Sequence, residues 1–227
     1  MKKYEKIRLV LFTLSGLFVS YFLILHVIHG SVFAKVITLC IASFFLIVLS
    51  GITYRMEQET KQKSNTIRQI IWVLFALYLF ELVSFLFFEN GFGRNGIGSI
   101  VFSKNVYRTY LNTSFNIIPF RVILFYLVGF IRGTQGIFHV IINLVGNFIS
   151  FMPFALFLPL LFPKFLKSKY FIFFLSILVL MVELVQMLLL TGSCDIDDWI
   201  LNVGGAVLLY FIFKKCQVYD RLKKVVD

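Results

Sequence analysis

Four acidic side chains fall within residues 183–198, a stretch that is otherwise largely apolar. Glu183 lies inside one apolar run, whereas Asp195, Asp197 and Asp198 follow a Thr-Gly-Ser break and precede the next run. An ionisable side chain at membrane depth must find a partner, a proton or water. The pattern therefore predicts a polar site in or beside a membrane, with Glu183, Asp195 and Asp198 as candidate acid–base groups.

Amide and basic side chains in the same half of the chain are spaced so that they could join these acids. Asn143 and Asn147 are four residues apart, as are Asp198 and Asn202, so each pair shares one face of a regular helix. Gly146 would let another backbone approach closely. We predict one outward-facing polar crevice whose binding residues are Asn116, Arg121, Asn143, Asn147, Gln186, Asp197 and Asn202.

Structural roles are open for several of these residues. Asp195 and the two aspartates after it resemble a capping box at a helix N-terminus, where the helix dipole favours carboxylates. The asparagines could hydrogen-bond across helices, at roughly 1 kcal/mol each. His139, four residues before Asn143, fits a packing residue as well as a ligand. A carboxylate at the position of Glu183 costs roughly 2.5 kcal/mol or more in mid-membrane, so it is either protonated or paired.

Arg121 is the candidate counter-charge. It follows Pro119, a residue that suits the first turn of a helix. If this segment folds back over the bundle, Arg121 could meet the carboxylates or bind an anionic headgroup. A hydrated interfacial arginine without a specific partner is the alternative.

Composition indicates an integral membrane protein. Hydrophobic residues make up 59% of the 227, only 15% are charged, and the mean hydropathy is +0.91. Soluble domains carry about 25% charged residues. The net charge of +11 comes from basic residues placed between apolar runs. This arrangement favours the lipid bilayer as the partner and excludes nucleic acid.

We predict an all-α, polytopic membrane helix bundle. An apolar run of about 20 residues spans a bilayer as a helix. About six such spans are expected, with a shorter interfacial or re-entrant helix near residues 117–131. The spans are predicted at roughly residues 7–27, 36–54, 70–88, 137–162, 170–190 and 199–213.

The distribution of basic residues predicts the orientation. With the N-terminus inside, 16 of the 22 lysines and arginines lie in cytoplasmic segments and six lie outside. Both termini are then cytoplasmic in a multi-pass protein of the cell membrane. We divide the chain into N-terminal transmembrane helices with an outer loop at 1–109, a second domain at 110–213 that contains the polar residues above, and a basic cytoplasmic tail at 214–227.

Four short motifs in the second half resemble the VanZ-like family. They are Asn-Ile-Ile-Pro-Phe at 116–120, Asn-Leu-Val-Gly-Asn at 143–147 leading to Phe-Met-Pro-Phe at 151–154, Glu-Leu-Val-Gln at 183–186, and Asp-Ile-Asp-Asp at 195–198 with Asn-Val-Gly-Gly at 202–205. The chain departs from the family pattern in two ways. Ala155 stands where the family usually has glycine, and no arginine precedes Asp195 closely.

The resemblance implies a bacterial cell-envelope protein that contributes to reduced susceptibility to teicoplanin-type lipoglycopeptides. In this view the polar site binds or modifies a lipid-linked envelope component, such as a cell-wall precursor, or the lipoglycopeptide itself.

Two other functions fit the same residues. One is an intramembrane hydrolase or transferase in which Glu183 acts as general base, its pKa raised by burial. In that case Asp195, Asp197 and Asp198 would hold a divalent cation, although the sequence contains no recognised metal-ligand spacing. The other is an ion-coupled small-molecule transporter with a relay through Glu81 and Glu183. The sequence identifies no cofactor.

Overall fold

The described chain is mostly helical, as the long apolar runs predict. The computed structural model describes residues 60–88 and 102–226, and the isolated positions Val48, Gly51, Gly96, Ile97 and Ile100. The predicted first span, 7–27, and nearly all of the second, 36–54, therefore lie outside the described residues. Among the described residues, four helices are long and apolar enough to cross a membrane: Ile67–Phe88, Ile137–Leu161, Ser168–Leu189 and Ile196–Lys215. They coincide with the predicted third to sixth spans.

Helix α1 (Thr60–Val83) is continued by a π-helical turn at Ser84–Phe88. It is followed by α2 (Lys104–Thr113), β1 (Phe115–Asn116) and the short apolar helix α3 (Arg121–Ile131). The next span comprises α4 (Ile137–Val140), a π-helical segment (Ile141–Gly146), α5 (Asn147–Ser150) and α6 (Phe154–Leu161). A 3-10 turn (Pro163–Leu166) leads to α7 (Ser168–Leu189), β2 (Cys194–Asp195), α8 (Ile196–Lys215) and α9 (Val218–Val226).

The chain divides into two compact units. One contains residues 1–81 with 220–227, and the other contains Leu82–Tyr219. In the first unit, Phe75 of α1 stacks on Tyr78 with ring centroids 6.4 Å apart. The second unit contains every predicted binding and acid–base residue of the polar site, whereas Glu81 of the alternative relay belongs to the first unit.

A single buried stripe of α7 connects the apolar core to the polar site. Phe171, Leu175, Val179 and Glu183 are four residues apart, and all four are buried. At the far end of the stripe Tyr210 of α8 stacks on Phe171, with centroids 4.4 Å apart. The same spacing that builds this core therefore carries Glu183 into the interior.

Helix α8 packs closely against α5 at Gly205. A Cβ atom at Gly205 would lie 1.8 Å from the backbone oxygen of Phe148. Only glycine permits this approach. At Gly146, where the sequence predicts a close contact, a Cβ would meet nothing within 4 Å. The close approach therefore occurs about two and a half turns into α8, on the same helix as Asp198 of the polar site.

The π-helical segment alters the alignment of His139, Asn143 and Asn147, whose four-residue spacing would place them in one stripe along a regular helix. The Asn143 amide nitrogen donates to the His139 carbonyl at 2.8 Å, and Ser150 donates to the Gly146 carbonyl at 2.6 Å. A π turn is wider than an α turn, so residues four apart no longer lie in one line. His139 is exposed, Asn143 is half-buried and Asn147 is buried.

Candidate functional site

Two short extended segments bring the first and last motifs together. Phe115 pairs with Cys194 and Asn116 with Asp195 in a parallel bridge, and the Cys194 N–H donates to the Ser114 carbonyl at 2.9 Å. The register places the Asn116 amide against Asp195, to whose Oδ1 it donates at 2.8 Å. The turn before α3 and the turn before α8 therefore form one structural unit.

Asp197 caps a helix other than its own. Its side chain is fully buried and accepts hydrogen bonds from the backbone N–H groups at the start of α3. Phe120 donates to Oδ1, while Val122 and Ile123 donate to Oδ2 at 2.7 and 3.1 Å. The first N–H groups of a helix lack intrahelical partners and carry partial positive charge. These donors compensate the buried carboxylate and fix α3 against α8.

Asp195 is the N-cap of α8, as the capping-box pattern predicts. Its Oδ1 accepts from the Asp197 N–H at 2.9 Å, and its own N–H donates to Glu183 Oε2 at 3.3 Å. Burial raises the pKa of the Asp195 carboxyl, because desolvation outweighs the hydrogen bonds from Asp197 and Asn116 and the charge of Arg121. The carboxyl therefore contributes stability at low pH that is lost as the pH rises through its raised pKa.

Asp198 connects α8 to the fourth span. The Asn147 amide donates to Asp198 Oδ1, and the Ser193 hydroxyl donates to Oδ2 at 3.3 Å. This contact lies on the same pair of helices as the close approach at Gly205. Asn147 and Asp198 therefore meet only while that helix packing is intact.

A cavity of about 410 Å³ lies over this network. Of the predicted site residues it is lined by Asn116, Arg121, Asn143, Asp195 and Asp198. Asn112, Thr113, Ser114 and Ser193 add further polar groups, and Phe125 and Val122 of α3 add an apolar wall. Among the described residues Arg121 forms no ion pair, although its positive charge opposes the rise in the pKa of Asp195 that burial causes. The cavity thus combines one guanidinium group with two carboxyl groups.

Five of the predicted residues lie beside or beneath the cavity rather than in its wall. Asn147 and Asp197 hold the helices in place, and Glu183 accepts the Asp195 N–H. The Gln186 amide donates to the Leu86 carbonyl at 3.1 Å. Asn202 is 4% exposed, and within the described chain its side-chain oxygen accepts no hydrogen bond.

Two features of the site escape sequence reasoning. The backbone donors at residues 120–123 have no side-chain signature, and only Pro119 indicated that a helix starts there. Asn112, Thr113 and Ser114 precede the first motif and carry no distinctive spacing. Cys194 lies beside the acids. Burial raises the pKa of its thiol, and the negative charges of Glu183, Asp195 and Asp198 raise it further, so a reactive thiolate is disfavoured.

The carboxylates of the site diverge to different partners. Asp197 binds the N-terminus of α3, Asp198 binds Asn147 and Ser193, and Asp195 caps α8. In the part of the chain that the structure describes, no three His, Cys, Asp or Glu side chains are grouped as metal ligands. The arrangement gives no support to a divalent-cation site built from the three aspartates.

A family model described as VanZ/LLP1 matches residues 36–218. The match starts within the predicted second span, so it covers most of the chain and not only the four motifs. No curated protein and no solved structure matches the chain. The chain belongs to the VanZ/LLP1 family.

Proposed function

We propose that this VanZ/LLP1-family membrane protein lowers susceptibility to teicoplanin-type lipoglycopeptides by binding a lipid-linked envelope component in the cavity between α3 and α8. The observation that carries the proposal is the cavity itself. It is large enough for a headgroup, it is lined by guanidinium, amide and carboxyl groups, and it lies beside an apolar helix. Occupation of this site would change how much lipoglycopeptide collects at the membrane surface.

Access from the bilayer supports a lipid-linked ligand. Ile117 and Ile118, immediately before α3, are 69% and 56% exposed, and Phe125 on the cavity wall is 57% exposed. Apolar side chains next to a polar pocket suit an amphiphile, because its chain stays in an apolar environment while its headgroup enters the pocket.

The proposal places the cavity at the outer face, with both termini in the cytoplasm. The support is the excess of lysine and arginine in the segments assigned to the inside. An alkaline phosphatase fused after Asn112, which is active only when exported, should be active. Activity of a cytoplasmic reporter at the same position would show that the cavity faces the cytoplasm instead.

Deletion of the gene should lower the minimum inhibitory concentration of teicoplanin and leave that of vancomycin nearly unchanged. The reason is that the proposed site acts on a membrane-level event, in which the lipid tail of teicoplanin takes part. The measurement is broth dilution with both drugs on the deletion strain and on the complemented strain. Equal effects on the two drugs would count against the proposal.

Substitution of Glu183 separates binding from intramembrane catalysis. Glu183→Gln keeps the shape and an oxygen that accepts the Asp195 N–H, but it cannot act as a general base. Because Glu183 does not line the cavity, we expect resistance and protein level to be retained. Loss of teicoplanin resistance at an unchanged protein level would instead favour the enzymatic alternative.

A further inference from the structure

Side chains of opposite charge line the same cavity. Arg121 lies on the first turn of α3, and Asp195 and Asp198 lie at the start of α8. The Arg121 charge acts on Asp195, yet within the described chain the guanidinium group makes no ion pair. A space bounded by separated opposite charges favours a ligand that carries both charges.

Hydrogen-bond acceptors are left over on the carboxyl side of the cavity. Both donors that reach the Asp195 carboxyl, Asn116 and the Asp197 N–H, bind Oδ1. Among the described residues none donates to Oδ2, although Asp195 is only 5% exposed. The Asn143 amide nitrogen donates to the His139 carbonyl, and no described residue donates to the Asn143 amide oxygen. Neither oxygen is sealed from solvent, so a donor that enters the cavity can reach both of them.

We infer that the cavity binds a zwitterionic aminoalkyl phosphate group, with its phosphate on Arg121 and its ammonium against Asp195 Oδ2 and Asn143 Oδ1. The inference rests on the proposed function and specifies its ligand class. An arginine fork suits a phosphate, and an ammonium group supplies three donors for the unused acceptors. A headgroup with a phosphate but no cation would bring a further negative charge close to Asp195 and Asp198 and no positive charge to compensate it.

The discriminating experiment compares phosphate ligands with and without an ammonium group and with and without a lipid tail. Purified full-length protein in a neutral detergent is titrated calorimetrically with dihexanoyl phosphatidylethanolamine, dihexanoyl phosphatidylglycerol and free O-phosphoethanolamine. The ethanolamine lipid should bind at least about tenfold more tightly than the glycerol lipid, the size expected for a charge-assisted hydrogen bond. Equal binding of the two lipids, or no binding of either ethanolamine compound, would overturn the inference.

Two substitutions test the two ends of the ligand. Arg121→Gln should weaken the ethanolamine and the glycerol lipid together, by roughly 10- to 100-fold. Asp195→Asn should weaken only the ethanolamine lipid, and asparagine is an equally good N-cap, so α8 remains capped. Arg132→Gln, an exposed arginine after α3 that does not line the cavity, is the matched control. An unchanged ethanolamine affinity in Asp195→Asn, or an equal loss in Arg132→Gln, would contradict the assignment.

Binding of the lipid compared with the free ester identifies the source of the ligand, and the resistance phenotype tests the proposed function independently. Tighter binding of the lipid than of free O-phosphoethanolamine identifies a membrane headgroup, and equal binding identifies a soluble phosphate ester; both agree with the inference. Selective binding without any effect of the gene on teicoplanin would refute the proposed function alone. Teicoplanin resistance without cation selectivity would refute only the zwitterionic ligand.

Discussion

Replacement of Gly205 by alanine is expected to destabilise the protein by roughly 3 kcal/mol or more, above the range usual for overpacking. The added Cβ would lie 1.8 Å from the Phe148 carbonyl oxygen and 2.8 Å from its carbon. These are backbone atoms, so relief requires the helices to separate. Separation would also break the contact between Asn147 and Asp198. The measurement is the melting temperature and the monodisperse yield of the detergent-solubilised protein.

Gly204→Ala is the matched control for this prediction. Gly204 is the neighbouring residue of α8, it is exposed, and a Cβ there meets nothing within 4 Å. We expect it to be neutral or to stabilise by up to about 1 kcal/mol through helix propensity. Similar behaviour of the two variants would show that α8 does not pack on α5 through Gly205.

Asp197→Asn is expected to cost on the order of 3 kcal/mol, although it changes a single atom. The carboxylate accepts three backbone N–H groups through its two oxygens. Asparagine has one acceptor oxygen, so its NH₂ group would face N–H donors in a buried position. Helix α3 should loosen at its start, and amide hydrogen exchange at residues 120–123 should accelerate together with a lower melting temperature.

Asp195→Asn separates this effect from a general loss of negative charge. Asparagine at an N-cap accepts the same backbone N–H, and the burial that raises the pKa of Asp195 means that removal of its charge also removes a desolvation cost. We expect the melting temperature of this variant to stay close to that of the parent protein. If the two substitutions were equally damaging, the cap formed by Asp197 on α3 would not be the cause.

Much of the architecture follows from apolar periodicity. The helices at residues 67–88, 137–161, 168–189 and 196–215 occupy the predicted third to sixth spans, and a short helix occupies 121–131. Asp195 is the predicted N-cap. These features depend on local patterns, namely run length, proline position and carboxylates before an apolar run. Local patterns are readable in a single sequence.

The connections within the site were harder to predict, because they involve the backbone. The sequence suggested Arg121 as the counter-charge for the acids, whereas the N–H groups of α3 compensate Asp197. The π-helical segment at Ile141–Gly146 shifts Asn147 relative to His139, so that three residues expected in one stripe have three different environments. Neither backbone donors nor an altered helix register leaves a residue-type signature.

The most direct test of the account compares Asn143→Leu with Val145→Leu in cells. Asn143 lines the cavity, whereas Val145, two residues further on, is 47% exposed and does not. At matched membrane levels of the two variants, the teicoplanin minimum inhibitory concentration is measured by broth dilution. We expect the minimum inhibitory concentration with Asn143→Leu to fall to that of the deletion strain, whereas with Val145→Leu it stays at that of the parent. Full resistance with Asn143→Leu, or equal loss with both, would contradict it.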